Sequence, residues 1–143
     1  MIKDDKGQVS LEYLLIFAVS IILLIAFTLP LAQFGMEKSL DVSNSINAKG
    51  ELSKLSNAIS QVYGEGQGSK QTVHLSLDKA INVKITNSYI SASYNMKDGK
   101  IKELKLNHNS NLKSGSLFLD KGENKVVVEW PIDSGEMNVY KKY

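Results

Sequence analysis

The sequence predicts an α+β protein in which a long N-terminal helix packs on a small antiparallel β-sheet head. Three observations lead to this fold class. The residues from Leu11 to Ala32 are almost all apolar, and those from there to Tyr63 place apolar side chains at helical spacing. From residue 71 onward, apolar and polar side chains alternate as in strands. A helical half followed by a run of strands is typical of α+β folds.

Composition excludes several classes of function. The chain has 143 residues and a formal net charge of +2, with no cysteine and no arginine. Nucleic-acid-binding proteins concentrate positive charge and favour arginine for its bidentate contacts. Here lysines alternate with acidic residues, which is typical of a solvated surface, so we expect no nucleic-acid partner. The absence of cysteine excludes a disulfide framework, a cysteine nucleophile and a thiolate metal site.

The apolar run from Leu11 to Ala32 has the length and composition of a membrane-spanning helix. A helix of about 22 residues is roughly 33 Å long, which matches the hydrocarbon core of a bilayer. Its only charged residue is Glu12, near the start, and Pro30 near the end is expected to kink the helix rather than break it. The run is too long for the core of a secretory signal, and no small-residue cleavage site follows it. We therefore expect it to stay on the mature protein.

Beyond Gln33 the helix is expected to become amphipathic, so that one face can cover a sheet. A cluster of glycines after Tyr63 ends it. The predicted helix spans residues 8–63, with the membrane segment at about 11–32, and a Gly-rich linker follows at 64–70. The apolar positions of the amphipathic half are Met36, Leu40, Leu52, Leu55, Ile59 and Val62.

Residues 71–143 are predicted to form the β head, with about six or seven strands in one antiparallel sheet. Apolar residues alternate with polar ones, as at Val73, Leu75 and Leu77. Asp98-Gly99 is a strong hairpin-turn signal. One face of this sheet is expected to lie against the amphipathic half of the helix.

The residues most informative about function lie where a polar leader meets the apolar run: Lys6-Gly7-Gln8-Val9-Ser10-Leu11-Glu12. This segment resembles the class III signal peptide of archaeal type IV pilins, in the subfamily cut before a Gln-x-Ser-x-Glu sequence. Gln8, Ser10 and Glu12 match that pattern, whereas Ile16 replaces a leucine that the family often carries four residues after the glutamate. The resemblance covers the leader and the first helix, and the β head matches only in architecture.

The resemblance implies a structural subunit, major or minor, of a surface filament, with adhesion among the roles of such filaments. Residues 1–7 would be a leader that a prepilin peptidase removes by cutting between Gly7 and Gln8. The implied partners are other filament subunits, a cytoplasmic assembly ATPase, a membrane platform protein, and membrane lipid before assembly. The resemblance implies no cofactor, no metal and no catalytic residue. The head would lie outside the cell and the leader inside it.

The residue types at the motif suit these roles on physical grounds. Gly7 weakens helix formation and lets a protease backbone approach closely. Cleavage would create an α-amino group on Gln8, largely protonated at neutral pH. In such filaments the glutamate is thought to pair with a neighbouring subunit's amine, and Glu12 in apolar surroundings would then favour one axial register. The alternative is a Glu12 that lies among lipid headgroups. Ser10 suits both a cap of the helix and a role in peptidase recognition, and the two roles are compatible.

The leader gives only a modest orientation signal. Lys3 and Lys6 favour a cytoplasmic N-terminus, and Asp4 and Asp5 add little to that signal.

Other motifs predict no chemistry. The segment 64–70 resembles a phosphate-binding loop, but Ser69 separates Gly68 from Lys70 and a helix precedes it, so we interpret it as a helix-to-sheet hinge. His74 and His108 have no further ligand at metal-binding spacing. No Asn-x-Ser/Thr sequon is present, which weakens the case for a glycosylated major subunit.

Two further functions stay open at this point. One alternative to a filament subunit is a membrane-anchored extracellular binding module that does not polymerise. The other is a membrane-tethered enzyme with a site in its β head. The N-terminus of the native protein distinguishes them, because a chain that begins at Gln8 has been processed as a filament subunit and one that begins at Met1 has not.

Overall fold

The structure is a computed structural model that describes the backbone of residues 5–143 and the side chains from Val9 onward. One helix precedes seven strands, which confirms the predicted α+β class with a long N-terminal helix and an antiparallel head. In chain order the elements are α1 (Asp5–Glu65), β1 (Lys70–Leu77), β2 (Ile81–Ile85), β3 (Tyr89–Asn95), β4 (Ile101–Asn107), β5 (Gly115–Leu119), β6 (Gly122–Glu129) and β7 (Asn138–Lys142).

The chain divides into two compact units, of which one ends at Leu40 and the other spans Asp41–Tyr143. In the first unit the described residues form only helix, and their side chains are exposed. The second unit, which we call the head, holds the rest of α1 and all strands. Met36 and Leu40 are 66% and 47% exposed, so the prediction that they cover the sheet is wrong. The buried face of the helix begins instead at Asp41.

The strands form two antiparallel sheets rather than the single sheet expected, with orders β1-β6-β7 and β4-β3-β2-β5. β1 pairs with β6 in the first sheet, and β2 pairs with β5 in the second. Because β2 follows β1 in the chain and β6 follows β5, the two pairs form one continuous two-stranded ribbon that passes from the first sheet to the second. On one side of the ribbon the crossing lies between Leu77 and Ile81. These residues are four positions apart, so the alternation of buried and exposed positions continues across the crossing, and both side chains are buried in the core.

Asn124 fixes the crossing on the other side of the ribbon. Its buried amide accepts the N–H of Asp120 at 3.0 Å and donates to the carbonyls of Asp120 at 2.7 Å and Gly122 at 3.1 Å. Gly122 has a φ of 96°, which glycine adopts without steric strain. The side chain therefore satisfies backbone groups at a point where the strands change sheets.

The core of the head lies where the helix meets the two sheets. The helix contributes Leu52, Leu55, Ile59 and Val62, each at most 1% exposed, as the sequence predicted. Burying a side chain of this size stabilises a fold by about 1.5–3 kcal/mol. The strand residues of the same cluster are Val73, Leu75, Leu77, Ile81, Val83, Ile85, Ile90, Ala92, Tyr94, Leu119, Val126 and Val128.

Polar side chains of the helix complete the open edge of β1. Glu51 accepts the N–H of Ser76 at 3.0 Å. Asn47 donates to the carbonyl of Ser76 at 3.2 Å and accepts the N–H of Asp78 at 3.2 Å. Since β1 is an edge strand, these bonds pair backbone groups that the sheet leaves open. They also set the axial position of the helix on the head.

A second set of contacts, here called the clasp, fastens the end of the helix to the end of β6. Gly66 has a φ of 89° just after the last helical residue, a common way for a helix to stop. The N–H of Gly68 donates to the carbonyl of Trp130 at 2.7 Å, and the N–H of Trp130 donates to Ser69 at 3.0 Å. The rings of Tyr63 and Trp130 stack with centroids 5.6 Å apart. The glycine-rich linker is therefore bonded to the sheet.

A fragment that begins at Asp41 is expected to fold as a β-rich monomer, because it contains every buried residue of the head. A matched fragment that begins at Leu55 lacks Leu52 and the bonds to the edge of β1, and should be unfolded or aggregated. Circular dichroism and light scattering measure both properties. Equal stability of the two fragments, or a mainly helical spectrum of the longer one, would contradict the two-unit organisation.

Candidate functional site

The residues of the predicted processing site lie in the first turns of α1: Gly7, Gln8, Ser10 and Glu12. Helix α1 is already formed at Asp5, so the peptide bond between Gly7 and Gln8 is helical. A protease binds extended backbone, so this turn would have to open for a cut between Gly7 and Gln8. Glycine favours opening by about 0.5–1 kcal/mol relative to alanine. Ser10 lies inside the helix, so it is not the N-cap that the sequence allowed.

Part of the predicted site lies outside the described structure. This holds for the leader residues Met1–Asp4, and for the side chains of residues 5–8. The lysine of the leader at position 3 is among them, and so is the side chain of Gln8. The pairing of a Gln8 amine with Glu12 stays a prediction.

Glu12 lies among apolar side chains. In the part of the chain from Val9 onward its carboxylate makes no hydrogen bond or ion pair. A carboxylate loses several kcal/mol of hydration when it enters apolar surroundings without a partner. Glu12 therefore needs a cation, a headgroup or water beside it. Two shallow grooves of about 250 and 260 Å³ flank it, and they are lined by Val9, Leu11, Tyr13, Leu15 and Ile16.

The candidate membrane span contains Glu12 near its start. Its apolar window has a mean hydropathy of 2.8, and none of the window is buried within the chain. The hydroxyls of Ser20 and Thr28 donate to the carbonyls of Ile16 and Leu24, one helical turn earlier. They therefore present no unpaired donor to an apolar environment.

Aromatic residues mark both ends of this span. Tyr13 lies near its start, and Phe34 lies just past its end with the Nζ of Lys38 5.5 Å from the ring centroid. Tyr13 and Phe34 are about 32 Å apart along a straight helix, close to the thickness of a hydrocarbon core. Aromatic and basic residues at such positions anchor helices at the two membrane interfaces.

The two histidines lie in the head and far apart in sequence. His74 is exposed on β1, and His108 follows β4 with its Nδ1 3.0 Å from the hydroxyl of Ser110. The Nε2 of His108 is buried without a hydrogen-bond partner. Burial lowers the pKa of this imidazole below its ordinary value of 6.5. Among the side chains the structure describes, no three His, Asp or Glu residues are grouped so as to hold a metal ion.

Comparisons with known proteins bear on the N-terminal segment. The family model described as "Class III signal peptide" matches residues 6–31. A minor structural pilin, EpdB of Methanococcus maripaludis strain S2, is 31% identical over 71 residues, which cover 50% of this chain and 54% of that protein. The chain thus spans about half the length of this relative. No solved structure matches the present chain.

The signal-peptide match and the similarity to a minor pilin agree with the resemblance to archaeal type IV pilins that the N-terminal motif carries. The uncovered apolar helix and the antiparallel head give the chain the α+β arrangement expected of a pilin-like protein. The particular relative found is a minor structural pilin of a methanogen, and that description belongs to the relative.

The partly buried imidazole of His108 predicts a pH dependence of stability. Since its pKa is lower in the folded chain than in the unfolded chain, the unfolded state binds the proton first as the pH falls. The stability that the neutral imidazole of His108 contributes is therefore fully present at neutral pH and is lost as the pH falls below about 6.5. His108→Gln should flatten the fall in melting temperature between neutral and mildly acidic pH. The exposed His74→Gln is the matched control, and an unchanged pH profile in His108→Gln would contradict the assignment.

Proposed function

We propose that the chain is a structural subunit, major or minor, of an archaeal type IV pilus-like surface filament. It is made as a membrane-anchored precursor with a cytoplasmic N-terminus and an external head. A prepilin peptidase cleaves it between Gly7 and Gln8, and the cleaved subunits assemble through their apolar helices. It acts as a structural protein rather than an enzyme.

One observation carries this proposal. The segment that matches the class III signal peptide continues as a helix whose apolar side chains are uncovered on every side, from Leu11 to Leu31. The core of the head is already complete without them. A helix of this kind needs lipid or other apolar helices around it. A filament subunit meets both environments in turn, first as a precursor and then in the assembled state.

Transfer from lipid to filament offers little net hydrophobic gain, because acyl chains and apolar helices are similar environments. The gain has to come from packing and from paired charges. The amine that cleavage creates on Gln8 and the carboxylate of Glu12 form such a pair between neighbouring subunits. Energy from a cytoplasmic ATPase, acting through a membrane platform protein, drives the remaining work of extraction.

Cleavage is expected to depend on residues 7 and 8. Gly7→Val stiffens the turn that must open, and Gln8→Asp places a charge beside the scissile bond, so both should leave uncut precursor in the membrane. The control is Gly35→Val, because an added side chain at this helical glycine meets nothing within 4 Å. Mass spectrometry of the membrane pool measures whether residues 1–7 are removed. Normal maturation of both variants would exclude this cleavage site.

Glu12→Gln should spare membrane insertion, because it removes a charge from an apolar helix. It should spare cleavage at least in part, yet impair assembly, because the amine loses its partner. Removing one member of a buried pair costs about 3–5 kcal/mol, whereas an exposed pair contributes about 0–1. Glu37→Gln, beyond the span, is the control.

Filament yield by electron microscopy measures this effect, together with N-terminal sequencing of the membrane pool. Wild-type assembly of cleaved Glu12→Gln subunits would show that Glu12 does not set the register. A native protein that begins at Met1 would favour the anchored binding module instead of a filament subunit.

A further inference from the structure

The outer face of the four-stranded sheet carries a polar groove of about 350 Å³. It lies over the middle of the sheet, where β2, β3 and β4 run side by side. The register places Asn82 beside Ser93 and Lys84 beside Ser91, and it places Ser93 beside Glu103. These five residues line the groove. Their strand neighbours Ile81, Val83, Ile90 and Ala92 face the core on the opposite side.

The polar groups in this groove have no partners within the chain. Among the side chains the structure describes, none of these five makes a hydrogen bond or an ion pair. Ser91 is only 4% exposed, and its hydroxyl, which makes no bond within the described chain, keeps some access to solvent through the groove. Its cross-strand neighbours on either side are Lys84 and Lys105. A hydroxyl on a groove floor that is open to solvent and has no partner within the chain is available to a ligand as both donor and acceptor.

The outer face of the three-stranded sheet behaves differently. There Lys70 pairs with Glu129 at 3.0 Å, and the hydroxyl of Tyr140 donates to the same carboxylate at 3.2 Å. Polar side chains on an outer sheet face of this head can therefore pair with one another. The groove over β2, β3 and β4 is distinguished by having all its donors and acceptors available.

The chemistry of the groove selects a kind of ligand. Its five lining residues offer one cation, one anion, two hydroxyls and one amide, so together they carry no net charge and present both donors and acceptors. Lys105, the other neighbour of Ser91, lies over the ring of Tyr89 instead, with its Nζ 4.0 Å from the centroid. Phe118, 58% exposed, is the cross-strand neighbour of Asn82 and places an aromatic ring next to the polar floor. A sugar ring has polar edges and an apolar C–H face, which match these two features.

We propose that this groove is a binding site for neutral carbohydrate. Asn82, Ser91 and Ser93 bind sugar hydroxyls from the groove floor, while Lys84 and Glu103 bind them from its sides. The apolar face of one sugar ring packs on Phe118. This site does not rest on filament formation, because every residue of it lies within one head.

The experiment uses the full chain, purified in lauryldimethylamine oxide because detergents with sugar headgroups would compete. The probes are an array of neutral and acidic oligosaccharides, followed by titration of the array members that bind. Ser91→Val, Lys84→Met and Glu103→Gln should each weaken binding about tenfold or more, as expected for loss of one buried or charged hydrogen bond. Thr72→Val is the control, since it removes a hydroxyl from the exposed face of β1 in the other sheet.

Binding to neutral oligosaccharides that is lost in these variants, kept in Thr72→Val and unchanged between about 0.05 and about 0.5 M salt supports the proposal. Circular dichroism of each variant shows whether the fold is intact. No binding to any neutral member of the array would overturn it. So would binding that the groove variants leave unchanged, or binding only to acidic members that weakens with salt. None of these results depends on whether the subunit is cleaved or assembled.

Discussion

Four apolar side chains on one face of α1, Leu52, Leu55, Ile59 and Val62, hold the helix to the core of the head. Both sheets contribute side chains to the same cluster, so the helix packs against the inner faces of both. The same helix also contains the apolar span. Folding of the head therefore fixes one half of α1 and leaves the other half dependent on an apolar environment that other molecules must supply.

The sequence carried enough information for the fold class, since a long apolar run and period-two alternation each have a single simple interpretation. It did not reveal that the strands divide between two sheets, because Leu77 and Ile81 keep the same parity across the crossing. Nor could it show where the helix meets the head: Met36 and Leu40 fit the helical spacing as well as Leu52 does. The division into two sheets appears only in the strand pairing, and the start of the buried helix face appears only in the folded chain.

The candidate sites differ in the same way. The N-terminal motif is local, so its residues could be recognised from the sequence, although the side chain of Gln8 is outside the described structure. The groove is formed by residues from three strands, and its members become neighbours only through the register. Serine, asparagine and lysine on an exposed strand face give no signal by themselves. What distinguishes them is the absence of partners among the described residues, which is a property of the folded chain.

The clasp and the bonds to the edge of β1 have a mechanical consequence. Asn47 and Glu51 attach the helix in the first half of its contact with the head, and Tyr63 stacks on Trp130 near the other end. A pull along the helix axis would load these attachments and the apolar contacts between them in shear, all together. Bonds loaded together in shear resist a force that would break them one at a time by peeling. These contacts therefore keep the helix attached to the head when tension acts along the helix axis.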